Sequence, residues 1–475
     1  MRKRKWLTAV GVIGLAGGAA AMADFDFGLF QENQLRAHSN QLFGIVEPLE
    51  ASSTESVSAS TAESDPTSLV TVAKHLRVRV ITDEANAGAN IDQMALWPDD
   101  RSPTHLIVCN EEGADKPGVQ RVRIADGTVE TILTGTVSCD PVRRTAWGTI
   151  IVGEEAGPTS SPATPGGWLL EIIHPLQTTG VQFDRVIGLL SGPDAGNVAT
   201  RPAPGRLAWE GLALYPNGVL YYGDENRPSQ GTPGGAYFKF IPGLPWPGGP
   251  PITNLDQSPL VSGKVYGLRL GKRNGNTDYG QGSNTGLGTW IEVTPSNNAN
   301  LRAAAATLKL TGYYRPEDAD IDLKALAAGL VRWCGNNTGN EGEDRNWGET
   351  ICVTDGTLLE ATANTATPEV QYLVIGTPEL AMPDNIAYQP GRGNWILHED
   401  GDGPAVGRNN DLWACLDDGA DADGLSDGCM RIATLNDLNA EWTGGIFDAT
   451  GTRFFVSVQH NVTGHGVILE IAGWR

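Results

Sequence analysis

The chain has 475 residues, 34 Lys+Arg against 56 Asp+Glu, and a formal net charge of −22. That balance, with no basic run beyond the first residues, argues against nucleic acid and anionic lipid as partners. Sixty Gly, 29 Pro and a charged fraction of 19% fit a turn-rich β protein and disfavour a helical one.

Arg2, Lys3, Arg4 and Lys5 precede an apolar, Gly/Ala-rich stretch, and Ala21-Met22-Ala23 supplies a small-x-small cleavage site. Residues 1–23 therefore read as a signal peptide, with a mature start at Asp24 and a periplasmic or secreted product. The apolar stretch is short and Gly-rich for a bilayer crossing, so no membrane span is expected. Lys3-Arg4-Lys5-Trp6-Leu7 is one residue away from a twin-arginine pattern. Residues 24–69 read as an N-terminal extension, within which 51–68 is polar enough for a flexible linker. No linker divides the rest, so residues 70–475 are expected to form one closed β architecture.

From residue 70 onward short apolar runs alternate with Gly- and Pro-marked turns, for example at 76–81, 106–109, 119–124, 147–152, 168–173, 219–222, 236–241 and 454–458. Runs of this length read as strands. Helices are expected only at 301–308 and 318–331. A two-strand unit with a tight turn recurs at 211–222, 385–397 and 444–458, each preceded by an acidic motif: Trp209-Glu210, Pro383-Asp384-Asn385 and Ala440-Glu441. These units read as inner hairpins of propeller blades, with a β-sandwich as the competitor. The expected fold is all-β, a six-bladed β-propeller with loop insertions and short helices. In a propeller the acidic motifs would converge on the central channel.

Six cysteines in an exported chain invite disulfides. Cys334 with Cys352 and Cys415 with Cys429 each close a short loop and are expected to pair. Cys109 and Cys139 remain, and either bridge each other or leave Cys139 as a thiolate for a metal. Carboxylates collected in one place want a hard cation, Ca²⁺ above all, and a thiolate among them suggests iron. Arg315-Pro316-Glu317 could set a carboxylate beside a guanidinium that meets phosphate oxygens bidentately. Phosphate ester hydrolysis at clustered cations requires no serine triad, and no Gly-x-Ser-x-Gly elbow is present. The acidic loop from Asp417 to Asp427 reads as a peripheral calcium loop or a solvated turn.

The segment Ser138-Cys139-Asp140-Pro141, Ala146-Trp147-Gly148-Thr149 and Gly153-Glu154-Glu155 resembles a stretch of the PhoX family of exported alkaline phosphatases. Trp209-Glu210, Tyr221-Tyr222-Gly223-Asp224-Glu225, Tyr314-Arg315-Pro316-Glu317-Asp318, Pro383-Asp384-Asn385 and Ala440-Glu441-Trp442-Thr443-Gly444 recur in the family's order. The resemblance implies a phosphoric monoester hydrolase with Fe³⁺ and Ca²⁺ on the propeller axis. It implies Cys139 as the thiolate ligand to iron, and Glu154, Glu155, Glu210, Glu317, Asp384 and Glu441 as carboxylate ligands. Arg315 would hold the substrate phosphate as the catalytic arginine, with Asn110 as a second substrate contact. The partner expected is a small phosphate ester as substrate, and the protein is expected to be a monomer. The alternatives are a calcium-dependent propeller hydrolase of the phytase or lactonase type and a non-catalytic calcium-binding propeller.

Overall fold

The computed structural model describes residues 27–158, 165–228, 234–271, 285–340, 346–401, 403–419 and 423–475. The signal peptide expected at 1–23 lies outside them. The chain is mostly β, built of curled, mainly antiparallel sheets whose strands for the most part follow sequence order outward from one innermost strand. The innermost strands are Ile91–Trp97, Cys139–Arg144, Trp209–Leu214, Pro316–Ile321, Pro383–Tyr388 and Glu441–Phe447. Each packs against the next, and Glu441–Phe447 returns to Ile91–Trp97, so they enclose an axis. Two of the sheets merge through a short pairing of Gly286–Val293 with Glu369–Ile375, giving one nine-stranded, barrel-like sheet. The early strand Arg77–Thr82 pairs with the last strand, Val467–Ala472, so segments far apart in sequence share one sheet and the ring is tied shut.

Local chemistry explains the hairpins. After Trp209–Leu214, Asn217 Oδ1 accepts the Val219 N–H at 3.2 Å, and Gly218 takes φ 92° without a Cβ to clash. Leu220–Asp224 then runs back beside the first strand. Apolar residues from neighbouring sheets meet between them: Cys109, Val142 and Val152 join one cluster, and Trp147, Trp209 and Tyr222 another. Trp147, Trp209, Trp333, Trp395 and Trp442 are fully buried in these layers, each adding roughly 3–5 kcal/mol against truncation to Ala.

The hairpin units expected from sequence form as Trp209–Leu214 with Leu220–Asp224, Pro383–Tyr388 with Trp395–Glu399, and Glu441–Phe447 with Arg453–Gln459. The helix at Leu301–Leu308 also forms, with Asn300 as its N-cap. The helix expected at 318–331 does not. Pro316–Ile321 is an inner strand, Asp322 caps a single short helix at Leu323–Ala327, and Leu330–Asn337 is again a strand. The strand wins because Glu317, Asp318 and Ala319 are buried among neighbouring inner strands, and Gly329 at φ 76° closes the helix after one turn. Residues 51–68, read from sequence as a flexible linker, lie against the body. Ser53 N–H donates to Thr434 Oγ1 at 2.9 Å, Ser58 caps the helix Ala59–Ser64, and Ala62 is buried.

All the cysteines are paired among the described residues: Cys109–Cys139, Cys334–Cys352 and Cys415–Cys429. Among the described residues no helix is long and apolar enough to cross a membrane.

Candidate metal and phosphate site

Near its start, almost every inner strand breaks register with its partner. The shifts fall between Ile91 and Met94, Cys139 and Val142, Trp209 and Leu212, Pro316 and Ala319, and Pro383 and Ile386. A bulge bends a strand and re-aims the side chain within it. In each of these bulges the residue after the first paired position is acidic: Asp92, Asp140, Glu210, Glu317 and Asp384. Glu441 opens the remaining inner strand, whose own shift comes later, at Gly444-Gly445. Repetition of one backbone device around a ring thus delivers carboxylates to one axis.

The result is two tight acidic groups. Carboxylate oxygens of Asp92, Glu111 and Asp140 lie within 4.8 Å of one another, as do those of Glu210, Glu317 and Asp384. Glu155 hydrogen-bonds Glu111 and faces the charges of Glu225 and Arg315. Burial, followed by repulsion from neighbouring acids, holds the carboxyls of Asp92, Asp140, Glu155, Glu210 and Glu441 well above the usual range. Glu317 is pushed up to about 8 by burial, with Arg315 pulling the other way. Such a cluster is stable as anions only if cations join it.

Among the described residues, Arg315 sits amid these acids. Arg315 Nε donates to Glu225 Oε1 at 2.9 Å, Nη2 lies 3.1 Å from Glu317 Oε1, and Asp400 Oδ2 is 3.9 Å from Nη2. Burial works against its charge, but Glu317 and Glu225 outweigh it and hold the proton well above the ordinary guanidinium range. Arg315 is left-handed at φ 58°, so it does not share an extended segment with Glu317 as its sequence suggests. The two side chains nevertheless meet across the Pro316 turn. Arg315, Asp400, Glu441 and His460 line a cavity of about 610 Å³, and His460 Nδ1 is 2.9 Å from Glu441 Oε1.

Several expected ligands lie elsewhere. Cys139 is disulfide-bonded to Cys109 and fully buried, so it offers no thiolate, and the bridge prevails over the metal role. Glu154 is the second correction. Its Oε1 accepts Arg185 Nε at 2.9 Å and Val137 N–H at 3.0 Å, and Oε2 accepts Arg185 Nη2 at 3.1 Å. Adjacent strand residues point to opposite faces, and it is Glu155 that turns inward. Asn110 is also turned away: its Nδ2 donates to Gln120 Oε1 at 3.2 Å within its own sheet. In the acidic loop, Asp417 is taken by Arg332 at 2.9 and 2.6 Å, and residues 420–422 lie outside those described. Asp92, Glu111 and Asp400 were not singled out from sequence. Asp92 could have been, because Ile91-Asp92 repeats the apolar-acid step of Trp209-Glu210 at a strand head.

The donors present are therefore oxygen. They suit Ca²⁺, which takes several carboxylate oxygens in flexible geometry, whereas the sulfur donor that suggested iron is not available.

No family model matches the chain, and no curated protein matches it in sequence. Among solved structures, Pseudomonas fluorescens PhoX in complex with vanadate, a transition-state analogue, superposes with a TM-score of 0.58 at 15% identity, covering 90% of this chain and 98% of that one. The fold is PhoX-like. A glucose dehydrogenase (TM-score 0.43, 10% identity, 83% and 98% covered) and the PQQ-bound aldose sugar dehydrogenase of Streptomyces coelicolor (0.37, 13%, 85% and 99%) are more distant.

Proposed function

We propose that the chain is an exported, metal-dependent phosphatase hydrolysing phosphate monoesters on the axis of a six-bladed β-propeller. The observation that carries this reading is the pairing of Arg315, which lines the cavity, with the bulge carboxylate Glu317. A carboxylate cluster by itself suits any calcium protein, but a buried guanidinium held among acids provides directed donors for an oxyanion.

Glu210, Glu317 and Asp384 would hold one cation, with Glu155, Glu441 and the Asp92 group on neighbouring positions. Bound cations would neutralise phosphate charge and lower the pKa of water. Glu225 and Glu317 fix the plane of Arg315, so its Nη1, which makes no hydrogen bond to the described residues, can be aimed at a phosphate oxygen. The side chain then meets the transferring group without reorganising. Calcium is the cation that the donors favour, and a ferric ion would have to be held by carboxylates alone.

A second reading, a calcium-dependent propeller hydrolase of the phytase or lactonase type, is favoured by the Cys109–Cys139 bridge, because all-oxygen calcium sites need no thiolate. One experiment separates the readings: assay purified protein on a chromogenic phosphate monoester, a phytate and a lactone, before and after chelation and with Ca²⁺ returned. Monoesterase activity lost with chelator and restored by Ca²⁺ supports the phosphatase. Chelator-resistant monoesterase activity, or turnover of the lactone alone, overturns it.

A further inference from the structure

Among the described residues, the cavity is lined by one arginine that the site itself does not use. Around the axis other arginines are paired with acids: Arg143 with Asp318 at 2.7 Å, Arg302 with Asp224 at 2.8 Å, and Arg315, through Nε and Nη2, with Glu225 and Glu317. Arg227 lines the same cavity as Arg315, is exposed, and makes no hydrogen bond or ion pair with the described residues. Its place is set by its neighbours. Glu225 accepts Arg315 Nε, and the carbonyl of Asn226 accepts the Arg315 N–H at 3.3 Å and the Gly235 N–H at 3.0 Å. Residues 225–227 therefore run alongside Arg315, and Arg227 stands at the cavity wall one residue beyond this pinned point.

We infer that Arg227 is a specificity-determining residue that binds a second anionic group on the leaving side of a phosphate monoester. The inference rests on the phosphatase reading and names its substrate class: monoesters whose leaving group carries a carboxylate or a further phosphate. A cavity of about 610 Å³ is in the range that takes a whole small organic ligand, not phosphate alone. Arg315 is placed for the reacting phosphate, so an unpaired guanidinium beside it meets what lies next in the ligand. A neutral leaving group packed there would strip water from Arg227 and return no partner, whereas an anionic one gains a charge-assisted contact. In a chain of net charge −22, a free arginine at the wall also offsets long-range repulsion of a doubly anionic substrate.

The test is calorimetric binding of phenylphosphonate and 4-carboxyphenylphosphonate to full-length protein in Ca²⁺, together with kcat and KM on the two corresponding phosphate esters. Native protein should prefer the carboxylated phosphonate by about two- to fivefold. Arg227→Ala should erase that preference, raising KM for the carboxylated ester with kcat unchanged, while the unsubstituted ester is unaffected. Arg227→Lys should retain part of the preference. Because the side chain makes no hydrogen bond or ion pair with the described residues, the variants should keep the native melting temperature. A preference that survives Arg227→Ala, equal native affinity for the two phosphonates, or an equal loss on both esters overturns the assignment of Arg227 alone. Native protein that binds neither phosphonate and cleaves neither ester overturns the phosphatase reading, and this inference with it.

Discussion

Arg315 Nε and Glu225 Oε1 stand 2.9 Å apart, bridging residues 90 positions apart in sequence. The Arg315 N–H also donates to the carbonyl of Asn226, so both backbone and side chain of the arginine are held by one short segment. A non-glycine residue at φ 58° costs about 1 kcal/mol or more unless its surroundings fix it, and this segment fixes it. Arg315→Lys should therefore fold and retain its cations, yet lose about 100-fold in kcat on a phosphate monoester, since an ammonium cannot reproduce the planar fork. Steady-state kinetics with calcium analysis checks this. Activity within threefold of native would show that Arg315 serves only to balance charge.

Removal of one axial carboxylate should change stability in opposite directions with and without cation. Glu210 is buried beside Asp140 and Glu317, and burial followed by their charges raises its carboxyl well above the usual range. In chelator, Glu210→Gln should raise the melting temperature, because a buried acid with acidic neighbours is replaced by a neutral amide. In millimolar Ca²⁺ the native protein should gain stability in proportion to RT ln(1 + [Ca²⁺]/Kd), and the variant should lose much of that gain. Thermal melts of both proteins across a calcium titration decide the matter. Equal calcium increments in both would remove Glu210 from the cation site.

Cys139→Ser addresses the bridge. With Cys139 bonded to Cys109, the substitution should lower unfolding free energy by about 2–4 kcal/mol, the usual value of a native disulfide. Bound metal and activity at 25 °C should stay near native. A thiol assay on denatured, unreduced native protein should read zero. Full stability together with loss of metal would restore the thiolate role that the sequence resemblance implied.

Acid sensitivity should centre on His398. It is fully buried with neither ring nitrogen hydrogen-bonded among the described residues, and burial pushes its pKa down to about 3. The unfolded chain therefore binds this proton from about pH 6.5 downward while the folded chain does not. Stability is fully present above pH 6.5 and falls as the pH drops toward 3, by up to about 4–5 kcal/mol at 1.36 kcal/mol per unit. His398→Leu should remove this slope between pH 4 and 6.5, as read by urea unfolding at a series of pH values. An unchanged slope would place the acid sensitivity in other groups.

The sequence by itself determined many of the strands and where their hairpins turn. Alternation, Gly-marked hairpins such as Asn217-Gly218, and the short loops closed by Cys334–Cys352 and Cys415–Cys429 are local properties, and local chemistry suffices for them. It also marked Glu210, Glu317, Asp384 and Glu441, because each opens an inner strand beside a Trp or Pro. Three inner strands, Ile91–Trp97, Cys139–Arg144 and Pro316–Ile321, were harder to see, since the buried acids that make the site break their apolar pattern. Only tertiary structure decided between Glu154 and Glu155, because the pleat sends one to Arg185 and the other to the axis. It alone brought Asp92, Glu111 and Asp400 to the site and joined Cys109 to Cys139. These choices depend on ring closure and on the bulge that rotates each strand head inward, and both are set by contacts between segments tens to hundreds of residues apart, which no local window of sequence contains.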